Sequence, residues 1–484
     1  MKTIKIAIIP IVALMLISLS SCDLTCEPYD AKTADMMSGS LEDMQQLTNG
    51  TYSWLINNRY TRHQHIVTEY QGDNVCVSGI TSDLLLQTYR FTHQKRQTNT
   101  YEFWRGAYQL IFAANTVIEK IPDNSEPKLL QLKAENLYLR AQAHFDIVRI
   151  WGRPYQQSPQ TNLGVPIMES TEFSLPARNT VKEVYDFVVR DLLKAATLFN
   201  ESKNSCYASK EVCYALLSRV YLFMDEYQKS IEYANLVINS KRYSLVTTAA
   251  LPNYFRSVPE NNPETIFANR YTMSENLDRS AIGSMYYSEF SPATGWAEVY
   301  ASEDFYNLIR KNPEDVRNQF IVESLDADGN QRYRNDCPRY YVLKYNYQEG
   351  IVNLSSPVYL RLAEMYMNRA EANTKLGNLE EAIVDVNLIR ARAGFSGDGL
   401  YTVGNLKGHS SVLDVVLEER RLEFAFEHQR IFDLWRNNRP LVRAYRGYHS
   451  DDRYNQTVLP TDLRVVHYIP EQERDVNPNL IDNP

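Results

Sequence analysis

Apolar positions along this chain recur mostly at helical spacing, and the helices they predict come in pairs. Candidate helices over 41–56 and 101–121 flank a long irregular stretch. The segment 126–151 is more sharply marked. Ala134, Leu137, Ala141, Phe145 and Val148 line one face, and Leu139, Ala143, Ile147 and Ile150 line a second. A helix apolar on two sides has to be covered on two sides, which calls for stacked layers. Residues 180–199 open on Thr180-Val181-Lys182-Glu183, a capping box that satisfies backbone donors reciprocally. Two helical hairpins follow. One joins 211–224 to 227–239 through Asp225-Glu226; the other joins 358–375 to 379–393, with Ser356-Pro357 at its start, Gly377 at its turn and Gly394 at its end. Small residues (Ala363, Ala370, Ala372, Ala382) recur where the second pair would cross. A last helix is predicted over 412–436. Between the hairpins, residues 244–345 are rich in Tyr, Pro, Asn and Gly and keep no helical period.

Paired helices with small residues at the crossing and Gly-Asn at the turn resemble tetratricopeptide repeats. Such pairs stack into a curved scaffold because none buries its faces alone. The predicted class is therefore mostly α: a tetratricopeptide-like scaffold (about 41–60, 100–240 and 355–440) with a loop-rich, irregular ligand-binding half, mainly 244–345, inside a single body spanning 41–484.

The N-terminus sets the compartment. Lys2 and Lys5 precede an apolar run, Ile6 to Ile17, and then Leu19-Ser20-Ser21-Cys22. This reads as a signal peptide over 1–21. Small residues before a cysteine resemble the lipobox of bacterial lipoproteins, which places the lipid (palmitate among its acyl chains) on Cys22 and makes 22–40 a lipidated tether. Downstream, no apolar stretch is long enough to span a bilayer. The net charge of −8 argues against nucleic acid or anionic lipid as partners. Beyond Cys22 the cysteines are Cys26, Cys76, Cys206, Cys213 and Cys337, an odd number without a CxxC pair. Neither a disulfide framework nor a zinc site is expected from them; Cys206 and Cys213 stay open between a bridge and two free thiols.

Candidate chemistry is sparse. Glu419, Glu423 and Glu427 lie four apart on one helix face, where paired carboxylates could hydrolyse a glycosidic bond. Arg420, Arg421, Arg430 and Arg436 interleave with them, and Arg361, Glu364, Glu371 and Arg390 recur on the partner helices. Matching Arg and Glu on inner faces of stacked helices read as a structural ion-pair network. Phosphate loops, nucleophile elbows and HExxH are missing. His63 and His65, near Glu69 and Asp73, read as a polar loop rather than a metal site, and Asp326-Ala327-Asp328-Gly329-Asn330 as a surface turn without the closing Glu of a calcium loop. No metal, cofactor or catalytic residue is expected.

Several blocks, in order, carry a more specific likeness. They are Trp104-Arg105-Gly106-Ala107-Tyr108 with Ala114-Asn115; Leu139-Arg140-Ala141-Gln142-Ala143-His144-Phe145 with Trp151-Gly152, Pro154 and Gly164-Val165-Pro166; Leu360-Arg361-Leu362-Ala363-Glu364-Met365-Tyr366 with Arg369-Ala370-Glu371-Ala372, Asn387 and Ile389-Arg390-Ala391-Arg392-Ala393-Gly394; Glu419-Arg420-Arg421-Leu422-Glu423-Phe424 with Glu427, Arg430 and Phe432-Asp433-Leu434; and Ile469-Pro470, Glu473, Asn477-Pro478 and Asn483-Pro484. Together with the lipobox, over essentially the whole mature length, they resemble the SusD/RagB family. The resemblance implies a surface lipoprotein of the outer membrane, lipid-anchored, sitting over a SusC-like TonB-dependent transporter. It implies capture of an oligosaccharide, or in the RagB branch a peptide, for polysaccharide utilisation, without catalysis.

Ligand contacts are sought among loop aromatics, since sugars stack their C–H faces on flat rings. Trp54, Trp104, Trp151 and Trp435 lie in helical patterns and are expected in the core. Trp296 lies in the irregular half, just after Tyr286 and Tyr287. The loop after the first helix adds Tyr70, Asp73, Asn74 and Tyr89. These seven residues are the candidate ligand contacts. A scaffold that binds only proteins and a surface glycosidase are the competing readings. Against the first stands the large aromatic insertion; against the second, the want of an isolated acid and base.

Overall fold

The computed structural model describes residues 39–79, 84–289 and 293–484. Cys22, the signal segment and nearly all of the 22–40 tether lie outside the described residues. Helices α1 (Leu41–Leu55), α2 (Asn58–Glu69), α3 (Leu84–Tyr89), α4 (Thr98–Lys120), α5 (Pro127–Trp151), α6 (Val181–Leu198), α7 (Lys210–Phe223) and α8 (Tyr227–Asn239) fill the first half. The short α9 (Ile282–Tyr286) and α10 (Glu303–Arg310) stand in the irregular region. Then come α11 (Leu362–Leu376), α12 (Leu379–Arg392), α13 (Val412–Phe424), α14 (Arg430–Arg436) and α15 (Glu471–Val476). Among the described residues no helix is long and apolar enough to cross a membrane.

Local signals account for the helix ends. Ser40, Asn57 and Ser209 accept backbone N–H groups at the starts of α1, α2 and α7. The Thr180–Glu183 box closes in both directions, with Thr180 N–H to Glu183 Oε2 at 2.8 Å and Glu183 N–H to Thr180 Oγ1 at 3.2 Å. Gly377 takes φ +84° and turns α11 into α12. Both predicted faces of α5 are buried. It packs against α4 on one side and α6 on the other; α7, α8, α11, α12 and α13 continue the stack. Ala363, Ala370, Ala372 and Ala382 are fully buried at the α11–α12 crossing. Ser218 and Ser230 exchange hydroxyl-to-carbonyl bonds (3.1 and 2.9 Å) where α7 meets α8.

Four expectations need correction. The stretch between the first two predicted helices is not irregular, for it holds α2 and α3. Helix α2 escaped notice because its buried face is polar: Gln64, His65, Thr68 and Glu69 are all enclosed. Residues 358–361 are strand rather than helix, since they pair with a segment of the insertion. The single helix over 412–436 breaks in two at 425–429, where Phe426 (φ +69°) and His428 (φ +64°) turn their N–H groups onto Glu69 at 3.0 and 2.9 Å. Finally, Cys76 and Cys337 form a disulfide across 261 residues, with Cα atoms 5.9 Å apart. Cys206 and Cys213 are free thiols.

The irregular region is stitched by short antiparallel pairs. Its strands are β1 (Val75–Val77), β2 (Thr265–Ala268), β3 (Val299–Ala301), β4 (Ile321–Glu323), β5 (Tyr333–Arg334), β6 (Cys337–Pro338), β7 (Tyr340–Val342) and β8 (Val358–Arg361). β1 pairs with β3, β2 with β8, β4 with β7, and β5 with β6. β2–β8 ties this region to α11 and β1–β3 ties it to α2.

Buried charge ties it more firmly. Glu423 on α13 meets Arg361, Arg392 and Arg317, the last at 3.1 Å. Arg317 also holds Asp315 and Glu419, each at 2.8 Å. Arg390 joins Glu419 at 2.9 Å, and Glu264 joins Arg392 at 2.8 Å and Arg361 at 3.2 Å. Glu427 takes Arg361 at 2.8 Å and Lys344 at 2.6 Å. Five cations and five carboxylates thus close one buried network. Burial alone would push the Glu423 carboxyl up, but Arg392, Arg361 and Arg317 outweigh it and hold it well below the usual range.

Replacing Glu423 by Ala leaves three guanidinium groups facing one another without it. A loss of about 3–5 kcal/mol is expected in urea unfolding. Breaking the exposed Lys182–Asp186 pair by Lys182→Ala should cost about 1 kcal/mol or less. Equal effects would show that the network carries no special weight.

Histidines give a pH dependence. Burial holds His63, His93 and His449 down at about 4, His144 and His428 at about 3, and His65 and His467 well below 6.5. The folded chain keeps these rings neutral while the unfolded chain protonates them below about 6.5. Their contribution is therefore complete above about pH 6.5 and is lost as pH falls toward 4. Calorimetry should show Tm falling by several degrees over that window. A flat Tm would mean the rings are not enclosed as the structure has them.

Candidate functional site

Pairing of β1 with β3 lays residues 74–78 along 298–302, with Ser78 N–H on Glu298 O and Ser302 N–H on Asn74 O at 2.8 Å each. The two regions singled out in the sequence therefore meet. At their junction a turn presents Trp296. Gly295 precedes it in a space no side chain fits: a Cβ there would stand 2.2 Å from the Tyr287 carbonyl oxygen. The N–H groups of Trp296 and Ala297 both bond Ser284 O, at 2.8 and 2.9 Å. The ring is fixed as well as the backbone. Its Nε1–H donates to Arg279 O at 2.9 Å, and the Arg279 guanidinium lies 4.3 Å from the ring centroid. Even so, Trp296 is 47% exposed.

Groups of both hydrogen-bonding characters surround it. Arg334 donates to Trp296 O (2.9 Å), Ala297 O (3.1 Å) and the Glu298 carboxylate (3.0 Å). Asn335 donates to Ser78 O at 2.6 Å. Both residues lie in the β5–β6 hairpin, which the Cys76–Cys337 disulfide pins to β1. A rigid indole face flanked by a guanidinium and a carboxylate suits a ligand with an apolar face and a hydroxylated rim.

The other candidates are placed differently. Tyr287 is half-buried; its hydroxyl accepts from Tyr347 at 2.7 Å and its ring meets Tyr341 edge-on. Tyr70, Tyr89, Tyr286 and Asn74 are fully buried, and Asp73 nearly so. These five cannot present a side chain to a ligand at the surface, and they are corrected to supporting residues. Tyr286 bonds the His65 ring at 2.7 Å and stacks on Tyr345. Tyr89 bonds Val75 O at 3.2 Å beneath the Arg443 guanidinium, 4.1 Å away. Asp73 pairs with Arg430 at 2.7 Å, and Asn74 accepts from Arg421 at 2.9 Å. Burial would raise Asp73, yet Arg421 and Arg430 hold its carboxyl well below the ordinary range. Neighbours of Trp296 that the sequence did not mark are Arg279, Glu298 and Arg334, polar residues with nothing in their spacing to single them out.

His63 and His65 stand on α2, where His63 faces Asn99 at 3.1 Å and His65 meets His428. Asp326 folds its own turn, accepting N–H groups of Asp328 (3.0 Å) and Asn330 (2.8 Å). Among the described residues no group of three or more His, Cys, Asp or Glu is arranged to hold a metal.

Comparison with known proteins agrees with this architecture. Residues 28–222 match a family described as "Starch-binding associating with outer membrane", and residues 322–484 match the "SusD family". SusD-like protein P38 of Formosa agariphila is 28% identical over 386 residues, 70% of this chain and 72% of its own length. A SusD superfamily protein of Bacteroides thetaiotaomicron superposes with a TM-score of 0.82 at 28% identity, covering 92% of this chain and 100% of its own. A putative sugar binding protein of Bacteroides vulgatus gives 0.78 at 27% identity, covering 92% and 98%. The chain belongs to the SusD/RagB family.

Proposed function

We propose that this protein captures oligosaccharides at the cell surface on the Trp296 platform and delivers them to a SusC-like TonB-dependent transporter. Lipid on Cys22 holds it to the outer membrane, and the body from residue 41 onward acts as one unit. The exposed, doubly fixed Trp296 ring carries this reading. A ring held by its own N–H and by Arg279 loses little freedom when a sugar stacks on it, so less binding energy goes to ordering the site. Arg334 and Glu298 stand where hydroxyls would be met. Family membership supports saccharide as the ligand class. The role is binding without catalysis: Glu419, Glu423 and Glu427, the carboxylates at catalytic-looking spacing, are each committed to buried cations.

Calorimetry and thermal shift against plant, host and microbial oligosaccharides, with mixed peptides alongside, test the reading. Bound ligand should raise stability by RT ln(1 + [L]/Kd). Trp296→Ala should weaken saccharide binding about tenfold or more while Tm moves by no more than a few degrees. A shift from peptides alone would move the protein to the RagB-like branch. Silence from both would leave a scaffold that binds only proteins, and a Tm that collapses together with binding would make Trp296 a packing residue.

A further inference from the structure

A second aromatic surface lies on the scaffold, along α4 and away from the insertion. Trp104, Tyr108 and Phe112 fall four residues apart and form a stripe about 12 Å long at 1.5 Å per residue. A stripe of this kind is ordinarily core, and at its inner end it is. Trp104 is buried, edge-on to Trp151 at 4.9 Å and tilted against Tyr108 at 4.9 Å. Tyr108 is half-buried, its hydroxyl fixed on Pro166 O at 2.9 Å. Phe112, at the outer end, is 56% exposed. Trp54 of α1 forms the facing wall, and the groove between them encloses about 420 Å³.

The polar lining separates this groove from a plain apolar contact face. Glu473, on α15, lines the groove. Trp104 lies beside it in the lining, and among the described residues Glu473 forms no ion pair within 4 Å. Burial raises its affinity for a proton, while the Arg105 charge and the Trp104 side chain work against the rise. Arg105 and Gln109 complete the lining. Among the described residues, the ion pair of Arg105 is with Glu102, 3.9 Å away. An apolar occupant would strip water from a carboxylate, a guanidinium and an amide without replacing their hydrogen bonds. A cationic occupant would meet Arg105. A sugar chain supplies both what the rings and what the polar groups need.

We infer that the groove between α1 and α4 is a second saccharide-binding site, stacking sugar rings along Tyr108, Phe112 and Trp54 and bonding hydroxyls through Glu473, Arg105 and Gln109. The inference rests on the saccharide-capture reading and extends it from one contact point to two. Two separate sites on one chain favour long polymers over short oligomers, because the second contact becomes intramolecular.

Affinity electrophoresis of the intact mature protein through gels containing amylopectin, xylan, mannan or arabinan tests it. Phe112→Ala removes an exposed ring, and Glu473→Gln removes the charge at constant shape, so neither should disturb folding. On whichever polysaccharide retards the parent, each variant should lose about tenfold in affinity, the usual scale for one stacking platform or charged hydrogen bond. Trp296→Ala with Phe112→Ala should lose more than either alone. If Trp296→Ala abolishes retention while Phe112→Ala and Glu473→Gln match the parent, the groove is not a saccharide site and the capture reading stands. If the parent passes every gel unretarded, both readings fall. If the two groove variants bind polysaccharide normally but no longer co-purify with an outer-membrane protein, the groove is a protein contact and the inference is overturned.

Discussion

Glu423 stands buried among three guanidinium groups, and much of the molecule is arranged around that fact. A buried carboxylate is tolerated only when its lone pairs are filled, and each guanidinium that fills one brings five donors of its own to satisfy. The network therefore spreads until the charges balance. It does so across the joint of the structure: Arg361, Arg390, Arg392, Glu419, Glu423 and Glu427 come from the scaffold side, and Glu264, Asp315, Arg317 and Lys344 from the insertion. The insertion's own strands form only two-stranded pairs, which are marginal in isolation. Directional ion pairs fix such a segment in one register against the helices, where an apolar contact alone would let it slide.

The same logic explains why helix periodicity revealed the scaffold and missed α2. Helices α5, α7 and α11 bury alanine, leucine and valine at regular spacing, so their faces can be read directly. Helix α2 buries Gln64, His65, Thr68 and Glu69, and the partners of His65 and Glu69 come from residues more than 200 positions away, such as Tyr286 and His428. A polar core face looks like a loop until those partners are known. The recurrent Arg and Glu of α11 to α13 could be read as ion pairs because both signs lay in the same helices. Lys344 and Glu264, their partners in the insertion, had no such local counterpart.

The candidate site was legible in part for a related reason. Composition and family resemblance pointed to two regions, and β1–β3 pairing brings them together. Which residues face outward is a different question, settled by packing. Tyr70, Tyr89 and Tyr286 are as aromatic as Trp296, but each has a buried hydroxyl or ring partner that holds it inside. Trp296 stays out because Gly295 admits a tight approach to Ser284 and Tyr287, which seats the backbone and leaves the indole beyond it. The Cys76–Cys337 link could not be read from spacing, since its partners are 261 residues apart and meet only through that pairing.

Fold and the proposed recognition are thus carried by different residues. The charges that align the insertion are enclosed, whereas the groups around the exposed indole (Arg279, Glu298, Arg334) lie at or near the surface and take little part in the core. Changing one of these surface groups costs little stability; changing a buried ion partner leaves an uncompensated charge and unseats the insertion with it. A frame of this kind can serve many ligands through a few loop residues. On the proposed reading, ligand preference at Trp296 is therefore set by those loop side chains, since the buried frame fixes where the ring stands and not what it holds.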